Sequence, residues 1–325
     1  MILHEEEHMQ RPALFPEHCT RADDLWFYDG NLTLKAENTL FRIYGGFLAA
    51  RSSVFRDMLE FPPPEDGNET LDGSHIVTVY DSAKDLSYFL KAIFDSSFFM
   101  PPPTPTDLPI VEGVLRLALK YDVQYLKRRA LSHLISTFPM SLSAWKNREK
   151  TRTIPPVDNT PFAAFRIARE FDLDFMLPSI LYCISSHPFE KTLDSAVFQD
   201  DKISFVWPDK RMCIVGRQKL LMMQSQSALN MTRNAEAPVA ECTGSSCAST
   251  RLRCADILSA WDMAGFLDYF EDNANVYSHE FCTVCRTNFK EMCALASQQM
   301  WSELPTMFGL PRWDELEKSR LFAFD

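Results

Sequence analysis

Cysteine carries the pattern in this sequence most able to do chemistry. Cys242 and Cys247 stand with four residues between them, in a loop of small polar residues. Cys282 and Cys285 stand with two between them, at the start of a predicted helix. Pairs of this kind supply the ligands of tetrahedral zinc sites, in which four thiolates close the coordination shell and leave no position for water. A site so closed is structural, not catalytic. Cys254, Cys293 and His279 are possible substitutes in the ligand set. Two plainer explanations compete. Cysteines are often buried small apolar residues, and a lone C-x-x-C can be redox-active, although this one lacks a βαβ context. The loop has little apolar surface to bury. A metal could pin it to the helix that begins at Cys282, if that helix folds back beside it.

Other short patterns dissolve on inspection. His4-Glu5-Glu6-Glu7-His8 formally matches H-E-x-x-H, but it has charge on every side and no apolar stripe to bury a helix. Ser143-Ala144-Trp145-Lys146 matches S-x-x-K without the S-D-N or K-T-G that accompany it in enzymes. No phosphate-cradling glycine loop and no G-x-S-x-G occurs. The sequence therefore predicts no catalytic residues and no organic cofactor. Lys127-Arg128-Arg129 is read as the wet side of a helix that buries Val123, Leu126, Ala130, Leu131 and Leu134, not as an import signal.

Composition bounds the partners. The 325 residues suffice for two domains with a sizeable core. A net charge of −11 argues against a broad nucleic-acid surface, so no nucleic-acid partner is predicted. No apolar run approaches the ~20 residues of a membrane span, and the acidic opening MILHEEEHMQ does not read as a signal peptide. The expectation is an intracellular chain, cytoplasmic or nuclear, whose nine cysteines are thiols or metal ligands and not a disulfide framework.

The elements that must position these residues come in a specific order. Leu32 and Leu34 alternate with polar neighbours, and Phe41 and Ile43 repeat the alternation after the turn Glu37-Asn38, which predicts two strands. Asp29-Gly30, after the aromatic run Trp26-Phe27-Tyr28, is a hairpin signal. From Phe47 to Leu59 the period becomes helical, through Leu48, Val54, Phe55, Met58 and Leu59. A strand over Ile76–Tyr80 and a helix capped by Asp81 or Ser82 follow. Val111–Lys120 and Val123–Thr137 form a helix pair. Leu48, Val54, Phe55, Phe89, Leu90, Leu117 and Leu126 are the predicted core. Beyond, helices are predicted over Leu142–Lys150, Pro161–Phe171, from Leu177, and over Pro208–Asn230, Cys254–Phe270 and Cys282–Leu304. The fold class is α+β. A flexible lead-in occupies 1–22, the first domain 23–138, and a helical region 139–325, with a mobile loop near 233–250.

FRIYGGFLAARSSVFRDML resembles the strand-to-helix signature of BTB/POZ domains. DGN-TL-AEN, DSA-DL--FL-A and LALKYDVQYLKRRALSHL are similar to the BTB proteins abundant in mushroom-forming fungi, and weaker similarity continues to WSELPTMFGLPRWDEL. The resemblance implies a small sheet with flanking helices and a non-catalytic interaction module. Its partners would be other proteins, such as another BTB chain or a cullin-type ubiquitin-ligase scaffold, which would make the chain an adaptor. Met58, Phe61 and Glu65 are the candidate protein-binding residues. A transcription-regulatory BTB protein with a zinc-stabilised C-terminal region is the alternative. Many BTB domains place His-Lys where this chain has Tyr44-Gly45. Long-form BTB dimers exchange an N-terminal helix, which Pro12 and Pro16 oppose here, so a swapped homodimer is not expected. Cullin-binding members usually carry an apolar-x-Glu motif after the helix ending at Met58-Leu59, and this chain has the rigid run Phe61-Pro62-Pro63-Pro64-Glu65 there. The helical region is expected to dock on the first domain through Phe162, Phe165, Ile167, Phe171, Leu173, Phe175 and Leu177.

Overall fold

The computed structural model describes residues 19–60, 70–71, 73–236, 240–260, 265, 267 and 278–324. The chain is mixed α+β, with a sheet of N-terminal strands followed by a helical region. It divides into two compact units at Leu131/Ser132, inside helix α5 (Gln124–Thr137). Among the described residues no helix is long and apolar enough to cross a membrane.

The first unit is organised by a five-stranded sheet in the order β1-β3-β2-β5-β4. Its strands are β1 (Thr20–Trp26), β2 (Leu32–Ala36), β3 (Thr39–Ile43), β4 (Thr70–Leu71) and β5 (Ser74–Val79). β2 and β3 form the hairpin at Glu37-Asn38, in register from Leu32↔Ile43 to Ala36↔Thr39, with Glu37 at φ 51°. The hairpin signal at Asp29-Gly30 does not produce one. β1 pairs in parallel with β3, so the chain crosses over at that point and does not turn back on itself. β1 also takes in Thr20 and Arg21, which the expected lead-in had included. β5 runs parallel to β2. Because β2 lies inside the sheet, Thr33 is as buried as Leu34, and its hydroxyl meets Ser74 Oγ at 2.6 Å. That pairing satisfies two buried hydroxyls, each of which would otherwise cost free energy.

Helices α1 (Gly45–Ala49) and α2 (Ser53–Glu60) replace the single predicted run. The break falls at Ser52, whose Oγ accepts from Phe55 N–H at 3.0 Å and donates to Tyr121 C=O at 2.6 Å. A side chain that caps α2 from within the run stops it continuing α1. Phe55 is thereby turned inward, fully buried and stacked on Tyr121 at 4.3 Å between centroids. Val54, predicted as core, is 39% exposed. One residue further back on the helix lies about 100° round it, which faces away from the buried side. The other predicted core residues, Leu48, Phe89, Leu90, Leu117 and Leu126, are all buried. Helix α3 (Ala83–Phe94) is capped by Ser82, which accepts from Asp85 N–H. Arg116 on α4 (Leu108–Lys120) joins the two helices by an ion pair to Asp85 at 2.6 Å and also pairs with Glu112 of its own helix at 2.7 Å.

The second unit is built from α6 (Leu142–Thr151), α7 (Thr160–Glu170), α8 (Leu177–Ser185), α9 (Phe189–Leu193), α10 (Trp207–Glu236), α11 (Cys247–Ala260), α12 (Thr283–Met307) and α13 (Trp313–Phe324). A short hairpin joins β6 (Ala196–Phe198) to β7 (Asp201–Ile203). Phe162, Phe165, Ile167, Leu173, Phe175 and Leu177 are buried, and Phe171 is half-buried. The 30-residue α10 is the spine against which α8, α11 and α12 pack. Gly216 on α10 lets the Phe308 ring lie on the helix backbone. A Cβ there would sit 2.0 Å from Phe308 Cδ1. Trp145, Trp301 and Trp313 run through this region, with Trp301 stacked on Trp313 at 5.3 Å and donating Nε1–H to Met140 C=O.

The Ser52 break yields a paired prediction. Phe55→Ala should lower stability by ~3–5 kcal/mol, as for a truncated core phenylalanine. Val54→Asp, one position away, should change it by no more than about 0.5 kcal/mol, as for a surface site. Urea unfolding followed by circular dichroism checks both, and equal effects would show that the two positions are not distinguished by burial.

Candidate metal centre

The predicted pairs converge. The sulfurs of Cys242, Cys247, Cys282 and Cys285 all lie within 4.8 Å of one another. Cys242 Sγ is 3.4 Å from Cys285 Sγ and 3.9 Å from Cys282 Sγ. Zinc–sulfur bonds of about 2.3 Å in a tetrahedron require sulfurs about 3.8 Å apart, so these separations bracket the needed geometry. Among the described residues this is the one cluster of potential ligands. The substitutes play no part in it. Cys254 and Cys293 are buried elsewhere, and His279 is exposed.

Local structure explains the convergence. The predicted mobile loop 233–250 is shorter than expected, since α10 runs to Glu236 and α11 begins at Cys247. Cys247 is therefore the first residue of a helix, and Cys282 is the N-cap of α12, with Cys285 in its first turn. Two helix N-termini thus point their partial positive charge and unpaired N–H groups at the sulfurs, which favours thiolate. Cys282 N–H reaches Cys247 Sγ at 3.3 Å. The N–H groups of Cys285 and then Thr243 donate to Cys282 and draw its thiol down to about 5. Burial works the other way on the inner pair. It pushes Cys285 up to about 12, where hydrogen bonds shared with the neighbouring sulfurs add to the effect, and it raises Cys247 against the pull of the Cys282 N–H. With protein groups alone, then, Cys282 ionises while Cys285 holds its proton. A divalent cation supplies the charge that allows every sulfur to ionise.

The turn between Cys242 and Cys247 depends on Gly244. A Cβ at this position would lie 2.6 Å from Cys247 Sγ and 3.2 Å from Cys282 Cβ. The sequence pattern had not singled out Gly244, although a glycine two residues after a ligand cysteine is a readable sign of close approach. Around the sulfurs, Glu280 ties α11 to the start of α12. Its C=O accepts from Ser246 Oγ at 3.0 Å, its carboxylate accepts from Thr250 Oγ1 at 3.1 Å, and it pairs with Arg253. Arg251, though 2% exposed, donates to Asn288 Oδ1 at 2.9 Å.

Other candidates from the sequence fall elsewhere. His4 and His8 lie outside the described residues, as do Phe61 and Glu65. Met58 is half-buried on α2. Ser143 and Lys146 are both exposed on α6. Lys127, Arg128 and Arg129 occupy the outer side of α5, whose Leu126, Ala130, Leu131 and Leu134 are buried. Neither a family model nor a curated protein matches the chain.

Gly244→Ala should weaken uptake of a thiophilic dication by about tenfold or more, the size expected when the shell around the ligands is displaced. Cobalt(II) titration, read by the visible bands of a tetrahedral tetrathiolate centre, checks this. Unchanged affinity would mean that the turn yields at no cost.

Proposed function

We propose that this chain is a non-catalytic protein-interaction adaptor, with a BTB-like first unit and a helical second unit stapled by one structural zinc ion. The observation that carries the zinc assignment is the set of four cysteine sulfurs within 4.8 Å of one another, placed on two helix N-termini. Thiolate ligands favour zinc over hard cations, and four of them leave no open position for a reacting water. Cys242, Cys247, Cys282 and Cys285 hold the ion. Its work is to fix the short turn 240–246 and the starts of α11 and α12, where apolar burial is small.

The adaptor role draws on the sequence resemblance together with the order of elements in the first unit. A small sheet with flanking helices is what that resemblance implies, and the first unit's β2–β3 hairpin, α1–α2, β5, α3 and α4 supply elements of that kind. Apolar side chains also stand exposed on the α1–α2 pair, with Phe47 at 42%, Val54 at 39% and Leu59 at 38%. Exposed apolar side chains gathered on one helix pair are of the kind that mark protein contacts. A second BTB chain or a cullin-type scaffold is the partner class this face would meet.

Elemental analysis of chelator-free protein should find one zinc per chain, and Cys282→Ser should lose it. A metal-free but folded wild-type chain would remove the zinc assignment. Light scattering on the full chain, alone and mixed with a cullin N-terminal domain, tests the adaptor role. A complex or a self-dimer that Val54→Asp abolishes without altering the far-ultraviolet spectrum supports it. A chain that stays monomeric and binds neither partner removes it.

A further inference from the structure

A cavity of about 320 Å³ lies in the second unit, away from the cysteines. It is enclosed by the end of α5, the last turns of α6 and α8, and the segment 152–161. One wall is apolar, formed by Phe138, Ile154, Pro155, Pro156 and Pro161. The lining also carries Arg148 and Arg152, together with Cys183 and His187. A site combining an apolar wall with a few convergent polar groups has the make-up of a small-molecule pocket, and its volume is at the lower end of the usual range.

Its electrostatics set it apart from the rest of the chain. The sequence as a whole carries −11, yet the lining contains two arginines and one carboxylate, Asp158. Asp158 is already paired with Lys191 at 3.0 Å, outside the lining. Both arginines pair with Glu149, whose side chain is 59% exposed while theirs are 17% and 23% exposed. A carboxylate so open to water is held less firmly than a buried one and yields to a better-placed anion. Arg148 is held against an aromatic ring. Its guanidinium lies 3.4 Å from the Trp145 ring centroid and donates to Cys183 Sγ at 3.3 Å. Pre-set guanidiniums recognise planar carboxylates with two parallel N–H bonds. The His187 ring makes no hydrogen bond to any described residue, although its edge packs on Phe162. Burial lowers the pKa of His187, so at neutral pH the imidazole is an uncharged donor and acceptor.

We propose that this cavity is a binding site for a small organic carboxylate, with the acid group on Arg148 and Arg152 and the apolar body against Phe138 and the prolines. The apolar wall is what selects an organic acid over a bare inorganic anion, and the guanidiniums are what select an acid over a neutral molecule of the same shape. The assignment does not depend on the zinc site or on adaptor function.

The test uses the full chain and phenylacetate as probe, with phenylacetamide as its neutral counterpart. Calorimetry should show saturable millimolar binding of the acid and binding of the amide at least about tenfold weaker. Arg152→Gln and Arg148→Gln should each weaken the acid by about tenfold with unchanged far-ultraviolet spectra. Arg152→Gln carries the comparison if the Trp145 contact makes Arg148→Gln misfold. Phenylacetate should also slow iodoacetamide alkylation of Cys183, mapped by peptide mass, and leave Cys19 unaffected. No saturable heat with phenylacetate, equal affinity for acid and amide, or undiminished binding to Arg152→Gln overturns the proposal. So does binding that leaves a reactive Cys183 unprotected. Tight binding of inorganic phosphate with none of phenylacetate overturns the carboxylate assignment.

Discussion

Four sulfurs within 4.8 Å of one another cannot all be thiolates unless a cation lies among them, and the far part of the second unit is arranged around that constraint. α11 and α12 each pack on α10, but what joins their starting turns is polar: the cysteine cluster, Glu280 and the Arg251–Asn288 bond. Polar ties of this kind contribute little net stability individually, about 0.5–1.5 kcal/mol for an ordinary hydrogen bond. A structural metal contributes far more, because the ligand set exists only when the chain is folded. Backbone N–H groups alone leave the four sulfurs unequal. Those of Cys285 and Thr243 draw Cys282 down, while burial keeps Cys285 protonated.

Elsewhere the molecule is held by conventional burial. In the first unit the inner strand β2 is covered on both faces, and Phe55, Phe89 and Tyr121 form one aromatic cluster under the sheet's helices. The single Ser52 side chain fixes how that cluster meets α2, since it caps the helix and grips the Tyr121 carbonyl together. In the second unit the Trp145, Trp301 and Trp313 rings do the corresponding work, and the indole N–H groups of Trp301 and Trp313 find backbone carbonyls at little polar cost. Next to the cysteines, Phe281 and Phe289 form a stacked aromatic pair.

What could be read from the sequence was whatever local spacing determines. Helical periodicity placed α3 to α8 within a few residues, and the two cysteine spacings named the four sulfurs that meet. What needed the third dimension was missed. The break at Ser52 involves a carbonyl 69 positions away, so the periodic run Phe47–Leu59 looked continuous and Val54 looked buried. Asp29-Gly30 carries true turn chemistry, yet β1 finds its partner in β3 by parallel pairing, a choice that sheet context makes and local signals do not. The β6–β7 hairpin turns through Gln199 at φ 52°, with no glycine to announce it. Helix α13 lacks a strong apolar stripe, and only Leu316 on it is buried.

The cavity was beyond sequence reading for the same reason, since its lining comes from segments that no single motif spans. Its arginines sit four apart, Arg148 in the last turn of α6 and Arg152 at its C-cap, where Glu149 between them reads as an ordinary solvated charge pattern. The structure adds the direction of one of them. Arg148 lies flat on Trp145 and faces Cys183, so its charge is turned inward even though the chain as a whole repels anions. Holding a cation there costs desolvation, which the Trp145 face, Glu149 and Cys183 help to offset. An inward arginine beside an apolar wall makes physical sense if an anion comes to it, and the acidic surface then acts as a filter. It slows the approach of highly charged anions and leaves singly charged organic acids less affected, because the repulsion they meet scales with their charge.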